Sequence, residues 1–306
     1  MTLTPEQLQR RKSGLGGSEV ATILGLNPYK TAYELWAEKT GRIEPEDISG
    51  KFAIRRGNDM EALVAKWFSE DTGLTVHRVN QTLTNDEHPY LLAHIDRRIV
   101  GAKEGLECKT ANWRMAAKFG DQGSDDVPAN YLIQCVHYMI VTGWKVWHLA
   151  AELGGDFRIY KIEYDEVLAN HVAQTAHDWW VKHIVEGIEP EPQSHRDLDL
   201  AFPNADAGTQ VEASSSIAAT HGELRAISHD LKALKERESA LKETIKGAMG
   251  EASALTYAGR KIATWNNQTR KSFNSKSFSN DHPDMFAQYQ KSSEFRVLRI
   301  NKGADE

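Results

Sequence analysis

Cysteine is nearly absent: the 306 residues include two, Cys108 and Cys135, both inside apolar stretches. That excludes a disulfide-built scaffold. No C-x-x-C or H-E-x-x-H arrangement occurs either, so the 12 histidines read as surface or core residues rather than a zinc site. There is no signal peptide and no apolar run of membrane-spanning length, so the expectation is a soluble, cytoplasmic chain. An excess of positive charge is missing as well. With 37 Lys and Arg against 43 Asp and Glu, the net charge of −6 excludes a protein that coats nucleic acid indiscriminately, while leaving room for a few focused contacts. A phosphate-binding P-loop is also absent. Residues 25–31, GLNPYKT, carry Tyr29 where the motif needs the glycine before Lys30, and no strand precedes them.

What is present is enough apolar material, 40% of the chain, for one large domain with an appendage. The charge is uneven. Residues 221–306 carry 15 Lys and Arg against 11 Asp and Glu, which leaves 22 against 32 in residues 1–220, an acidic body of net −10 before a basic tail of net +4.

The stretch LLAHIDRRIVGAKEGLECKT, residues 91–110, organises the rest. A Leu/Ile/Val-rich run, a turn around Gly101–Gly105 and a second extended run predict a β-hairpin. Side chains alternate along a strand, so Glu107 and Lys109 share one face while Leu106 and Cys108 take the other. A turn centred near residues 101–104 brings Asp96 back across from Glu107, where cross-strand Cβ atoms lie about 5 Å apart. Two carboxylates at that distance can share a cation.

Along the chain, residues 4–12 predict a short helix ahead of a glycine-rich corner, Gly14 to Gly17. Ser18 is then expected to cap a helix whose apolar face is Val20, Ala21, Ile23 and Leu24, and the Gly-Gly-Ser corner leaves backbone N–H groups that suit an anion. Thr31 opens a second helix with Glu34 completing a capping box and Gly41 ending it. A helix over 57–71 carries Met60, Leu63, Val64, Trp67 and Phe68 on one face, with Glu61 at its margin, where a carboxylate could reach a metal site. Strands are expected over 75–83, 91–100, 145–151 and 157–163. A helix over 128–141 sets Tyr131, Gln134 and Tyr138 on one stripe, and a long helix over 165–186 holds the Trp179-Trp180 pair. Residues 191–220 read as a linker between a core of residues 1–190 and a tail of 221–306. In the tail, Leu224, Ile227, Leu231, Leu234, Leu241, Ile245 and Ala248 form a heptad seam with Glu238 in its polar slot, before a hairpin around Gly259-Arg260 and a cluster of basic residues.

An Asp, then Glu-x-Lys about ten residues on, is similar to the signature of the PD-(D/E)xK nucleases. Alone the tripeptide also fits an exposed strand with an ordinary ion pair. Five motifs in order are more specific: Arg11 seven residues before Ser18 in Gly-Gly-Ser-Glu-Val-Ala, Glu61 after Arg-Gly, Ile-Asp96, Glu107-Cys108-Lys109, and Tyr-Leu-Ile-Gln134 before His137-Tyr138. With these in register, residues 11 to about 190 resemble the lambda-type alkaline exonucleases, specifically the YqaJ-type viral recombinase nucleases. The resemblance implies an α/β fold, a mixed central sheet flanked by helices, with the coiled-coil-like helix and hairpin outside the nuclease core. It implies Asp96, Glu107, the carbonyl of Cys108 and Glu61 as ligands of Mg²⁺, for which Mn²⁺ would substitute. Lys109 would orient or deprotonate the attacking water, Gln134 would position the site, and Arg11 with Ser18 would receive a 5′ phosphate. The implied activity is 5′-to-3′ digestion of one strand at double-stranded DNA ends. The overhangs would pass to a single-strand annealing protein, in a phage-type or prophage setting within a bacterial host. The family also implies a homo-oligomer, a trimeric ring. A structure-specific endonuclease and a nuclease-derived module that no longer cleaves are the alternatives.

Overall fold

Burial is deepest in the strand that pairs with the one carrying Glu107 and Lys109. In the computed structural model, which describes residues 12–292 and 295–301, seven of the eight residues of Val146–Leu153 are buried, as expected for the inner strand of a sheet covered on both sides. We label the strands β1 (Val76–Arg78), β2 (Leu83–Thr84), β3 (Leu92–Ala93), β4 (Arg97–Ile99), β5 (Glu104–Ala111), β6 (Val146–Leu153) and β7 (Phe157–Glu163). Five of them form one sheet in the order β1-β4-β5-β6-β7. Only the β5–β6 pair is parallel, so the chain must cross over between them. The crossover is a helix, Ala129–Thr142, stopped by Gly143 in the left-handed region (φ 71°). Gly105 of β5 must be glycine, because a Cβ there would lie 2.3 Å from the Trp147 ring on β6.

The helices are α1 (Gly17–Ile23), α2 (Ala32–Lys39), α3 (Phe52–Thr72), α4 (Ala129–Thr142) and α5 (Glu166–Trp180), the last continued by a π turn over Val181–Val185. Alternation along the strands divides the core between the two sheet faces. Leu149 and Ala151 pack with Val20, Trp36, Met139 and Val172 on the α1, α2, α4 and α5 side. Ala150, Leu106 and Ile99 pack with Val64, Ala65 and Phe68 of α3 on the other. Trp179 is buried in the larger cluster, and Trp180 stacks on Tyr90 with ring planes 9° apart. No helix among the described residues is long and apolar enough to cross a membrane.

Thr31 and Glu34 form the expected capping box on α2. Four expectations are corrected. Ser18 does not cap α1: Gly16 holds the N-cap position, its N–H donating to Glu19 Oε2 at 2.8 Å, and Ser18 lies exposed in the first turn. The strands expected over 75–83 and 91–100 are each interrupted, at residues 79–82 and 94–96, because β2 and β3 pair with each other while β1 and β4 join the main sheet. Residues 195–201, expected in a linker, form helix α6 (His195–Ala201). Its fully buried Asp197 accepts from Thr31 Oγ1 at 2.6 Å and from the Gln193 and Ser194 N–H groups at 3.0 Å, which binds this segment to the core.

The compact units are Met1–Ala201 and Phe202–Glu306. The second is built on α7 (Ser215–Met249), a 35-residue helix capped by Ser214, followed by the hairpin of β8 (Ala254–Tyr257) and β9 (Arg260–Thr264) and two short helices, Ser275–Asp281 and Pro283–Gln288. The seam residues Leu224, Ile227, Leu231, Leu234, Leu241 and Ile245 are all exposed on α7.

Candidate active site

The β4–β5 register pairs Arg97 with Leu106, and one step further along it sets Asp96 across from Glu107. Asp96 caps the end of this ladder. Its Oδ2 accepts the Cys108 N–H at 2.8 Å, which pins the carboxylate against β5. Glu107 and Lys109 project from the same face of β5 toward α4. There the Lys109 Nζ donates to Glu107 Oε1 at 2.5 Å and to Gln134 Oε1 at 2.9 Å. The Gln134 amide returns to Glu107 Oε1 at 3.0 Å and donates to the Tyr138 hydroxyl at 2.7 Å. Its oxygen meets the ammonium and its nitrogen the carboxylate, the only orientation in which both pairs are satisfied. The Tyr131 ring lies 4.8 Å from Lys109 Nζ and completes the stripe expected on α4.

Charge in this corner is out of balance. Glu107 is 3% exposed, and its second oxygen, Oε2, is buried without a hydrogen-bond partner. Burial first, and the neighbouring Glu107 second, push the Asp96 carboxyl up to about 8. Two buried carboxylates with one ammonium between them cannot comfortably both ionise. Burial opposes the Lys109 charge too, but Glu107 and Asp96 outweigh it and hold the ammonium above the ordinary lysine range. The set therefore fits a hard divalent cation: oxygen donors, one of them orphaned, and an Asp96 carboxyl that lacks a counter-charge of its own. Burial pushes the Cys108 and Cys135 thiols up, so Cys108 has only its carbonyl oxygen to offer.

Glu61 stands apart from this set. It reaches the sheet from α3, on the face where Arg97 and Cys108 lie, and its Oε1 accepts from Arg97 Nη1 at 2.6 Å. No group of three or more His, Cys, Asp or Glu side chains gathers in a metal-holding arrangement among the described residues. As a ligand, Glu61 would first have to give up that arginine contact. Arg97 is the neighbour that the sequence reading missed. The period of two was the available signal: Arg97 shares a strand face with the buried Ile99, and a buried arginine needs a carboxylate.

The glycine corner abuts the same site. A Cβ on Gly17 would lie 2.9 Å from Gln134 Cγ, so α1 starts directly against the residue that bridges Lys109 and Glu107. The corner is braced by Lys39, almost fully buried, whose Nζ donates to the Gly14 carbonyl at 2.6 Å and to Glu19 Oε2 at 2.9 Å. Arg11, expected to share an anion pocket here with Ser18, lies outside the described residues.

Residues 6–145 match the YqaJ-like viral recombinase domain. The chain is 29% identical over 304 residues to the uncharacterized protein YqaJ of Bacillus subtilis, across 97% of this chain and 94% of that one. Among solved structures, an alkaline exonuclease from Laribacter hongkongensis aligns over 60% of this chain and 94% of its own, at 15% identity and a TM-score of 0.48. A phage-related exonuclease from Haemophilus somnus aligns over 57% of this chain and 96% of its own, at 15% identity and a TM-score of 0.40.

Proposed function

We propose that this chain, which carries a YqaJ-like viral recombinase domain, is a Mg²⁺-dependent nuclease that digests double-stranded DNA from its 5′ ends and leaves 3′ single strands. The observation that carries the reading is the under-compensated pair Asp96 and Glu107, held across β4 and β5 with Lys109 and Gln134 on the same face. Asp96, Glu107 and the Cys108 carbonyl would hold the ion, and Mn²⁺ would serve in its place. When bound, such an ion polarises the phosphoryl group and acidifies water at the site. The rest falls to the chain itself. Lys109 presents an ammonium beside the carboxylates, where it donates to the attacking water or a phosphoryl oxygen and offsets charge that grows during attack. Gln134 fixes both Lys109 and Glu107, so neither has to reorganise as substrate arrives. Glu61 orders Arg97 behind β4.

The 5′ preference would rest on the corner at Gly14 to Gly17, which packs against Gln134, with Arg11 and Ser18 as contacts of the terminal phosphate. Residues 1–220 carry a net charge of −10, too acidic to hold a polyanion by diffuse attraction. Enclosure by a trimeric ring would supply the hold instead, and a single-strand annealing protein would take the product strand. The test is digestion of linear and closed-circular duplex in Mg²⁺, with 5′-phosphoryl and 5′-hydroxyl ends compared. Loss of linear duplex only, faster from phosphorylated ends, is the expected result. Cleavage of closed circles would replace this reading with an endonuclease.

A further inference from the structure

Most tryptophans here are packed away. Of the eight in the chain, Trp36, Trp147 and Trp179 are buried, and Trp67, Trp144 and Trp180 lie against the two core clusters. Trp113 differs. It is 68% exposed, yet it stands two residues past the end of β5, the strand that carries Glu107 and Lys109. The β5–β6 pair is parallel, and Trp113 lies at its carboxyl end, where open α/β sheets bind their ligands.

The exposed ring rides on a fixed backbone. Asn112 caps the short 3₁₀ turn Trp113–Lys118, its Oδ1 accepting from the Arg114 N–H at 3.0 Å and the Met115 N–H at 3.2 Å. Gly154 packs so closely that a Cβ there would lie 2.6 Å from the Trp113 nitrogen. Arg158 donates from Nη1 to the Phe119 and Gly120 carbonyls at 3.3 Å, and so anchors the far end of the turn. The Arg114 guanidinium lies 5.3 Å from the Trp113 ring centroid, and Lys118 ends the turn. An aromatic face with a cation over it, held rigidly beside a phosphodiester site, has the composition of a single-strand stacking platform.

We propose that Trp113 and Arg114 form a nucleobase-stacking site for the DNA strand that runs through the active site. The proposal rests on the nuclease reading above. Trp113 is four residues beyond Lys109, at most roughly 13 Å along an extended chain. At about 3.4 Å per nucleotide the stacked base lies some three or four steps from the scissile phosphate. Arg114 lies over the same ring, where it can meet the backbone phosphate of that nucleotide.

The experiment compares wild type, Trp113→Ala and Trp113→Phe. It measures binding of a fluorescein-labelled single-stranded oligonucleotide by anisotropy without metal, sedimentation mass, and cleavage of linear duplex in Mg²⁺. Stacking on a base is worth about 1–3 kcal/mol, so Trp113→Ala is expected to weaken binding roughly 5- to 150-fold, with Trp113→Phe restoring most of it. Unchanged binding in Trp113→Ala, equal loss in both variants, or a change in sedimentation mass would each overturn the proposal. The last outcome would make the ring a protein contact. Wild type that binds DNA but never cleaves it defeats the nuclease reading alone and leaves the binding comparison to decide this one.

Discussion

His137 offers a quantitative test of the packing that supports the site. It is 0% exposed, and its Nε2 donates to the Leu92 carbonyl at 2.9 Å, tying α4 to β3, while its Nδ1 is buried with no partner. A proton on Nδ1 would be an unsatisfied buried donor as well as a buried charge, and burial accordingly pulls the imidazole down to about 4. The unfolded chain titrates near 6.5. Above that pH both states are neutral and His137 contributes nothing to the pH dependence. As pH falls from 6.5 toward 4, only the unfolded state takes up the proton, so stability is lost across that window. Between pH 7 and pH 5 the loss is about 2 kcal/mol, from the two titration curves with 1.36 kcal/mol per unit. Urea unfolding of wild type and His137→Gln at both pH values isolates this residue, since the other groups are common to the two proteins. Glutamine keeps an N–H for Leu92 and removes the titration. The wild-type loss should exceed the variant's by about 2 kcal/mol, whatever the variant's own baseline. Equal losses in the two proteins would mean that His137 is not held neutral by burial.

Four further outcomes are expected. Asp96→Asn and Lys109→Ala should each abolish Mg²⁺-dependent cleavage with circular dichroism unchanged, since the proposed function places both groups at the phosphoryl centre; near-normal rates in either would remove the site assignment. Arg97→Ala leaves the buried Glu61 carboxylate without its guanidinium and should cost about 3–5 kcal/mol in urea unfolding, whereas the double variant Arg97→Met with Glu61→Met should recover most of it. Gly17→Val pushes on Gln134 Cγ and should lower the cleavage rate at saturating DNA more than it alters affinity, as titration of rate against DNA concentration will show. A fragment ending at Ala201 should unfold cooperatively by itself, since the large core cluster draws only on residues up to that point; a broad, non-cooperative transition would show that the second unit is needed for folding.

Much of this was legible in the sequence where local chemistry decides the outcome. The Thr31 and Glu34 box, the Gly143 stop and the β4–β5 register each follow from residues near one another in the chain. Misreadings arose where a distant partner decides. Residues 91–100 have the composition of one strand, but Asp96 spends its carboxylate on the Cys108 N–H and His94 meets Thr82 through its Nε2 at 2.9 Å, so the chain changes partners between β3 and β4. Ser18 lost its capping role because the helix begins earlier: the Glu19 and Val20 N–H groups already bond to the Gly16 carbonyl, which places Ser18 inside the first turn. The heptad period in α7 was visible, and a period identifies a face without identifying what covers it.

The buried acids, taken together, are the physical ground for placing the proposed cation at Asp96 and Glu107 rather than elsewhere in the first unit. Glu34 meets Arg196 at 2.5 Å, Glu61 meets Arg97 at 2.6 Å, and Glu152 is paired with Arg56 and also accepts the Gly155 N–H at 2.9 Å. Asp197 has no cation but is satisfied by a hydroxyl and two N–H groups. Each of these four carboxylates thus has a cation or donors of its own, Glu34 Oε1 through the Arg196 ion pair without a formal hydrogen bond, as the cost of an unpaired charge demands. At the β4–β5 junction one lysine serves two carboxylates, and Glu107 Oε2 has no donor at all. Lys109 could in principle have been an arginine with a fork for both acids, which would have closed the site electrostatically. A point charge on Lys109 instead leaves Asp96 without a counter-charge and one Glu107 oxygen without a donor, and a divalent ion would answer both at once.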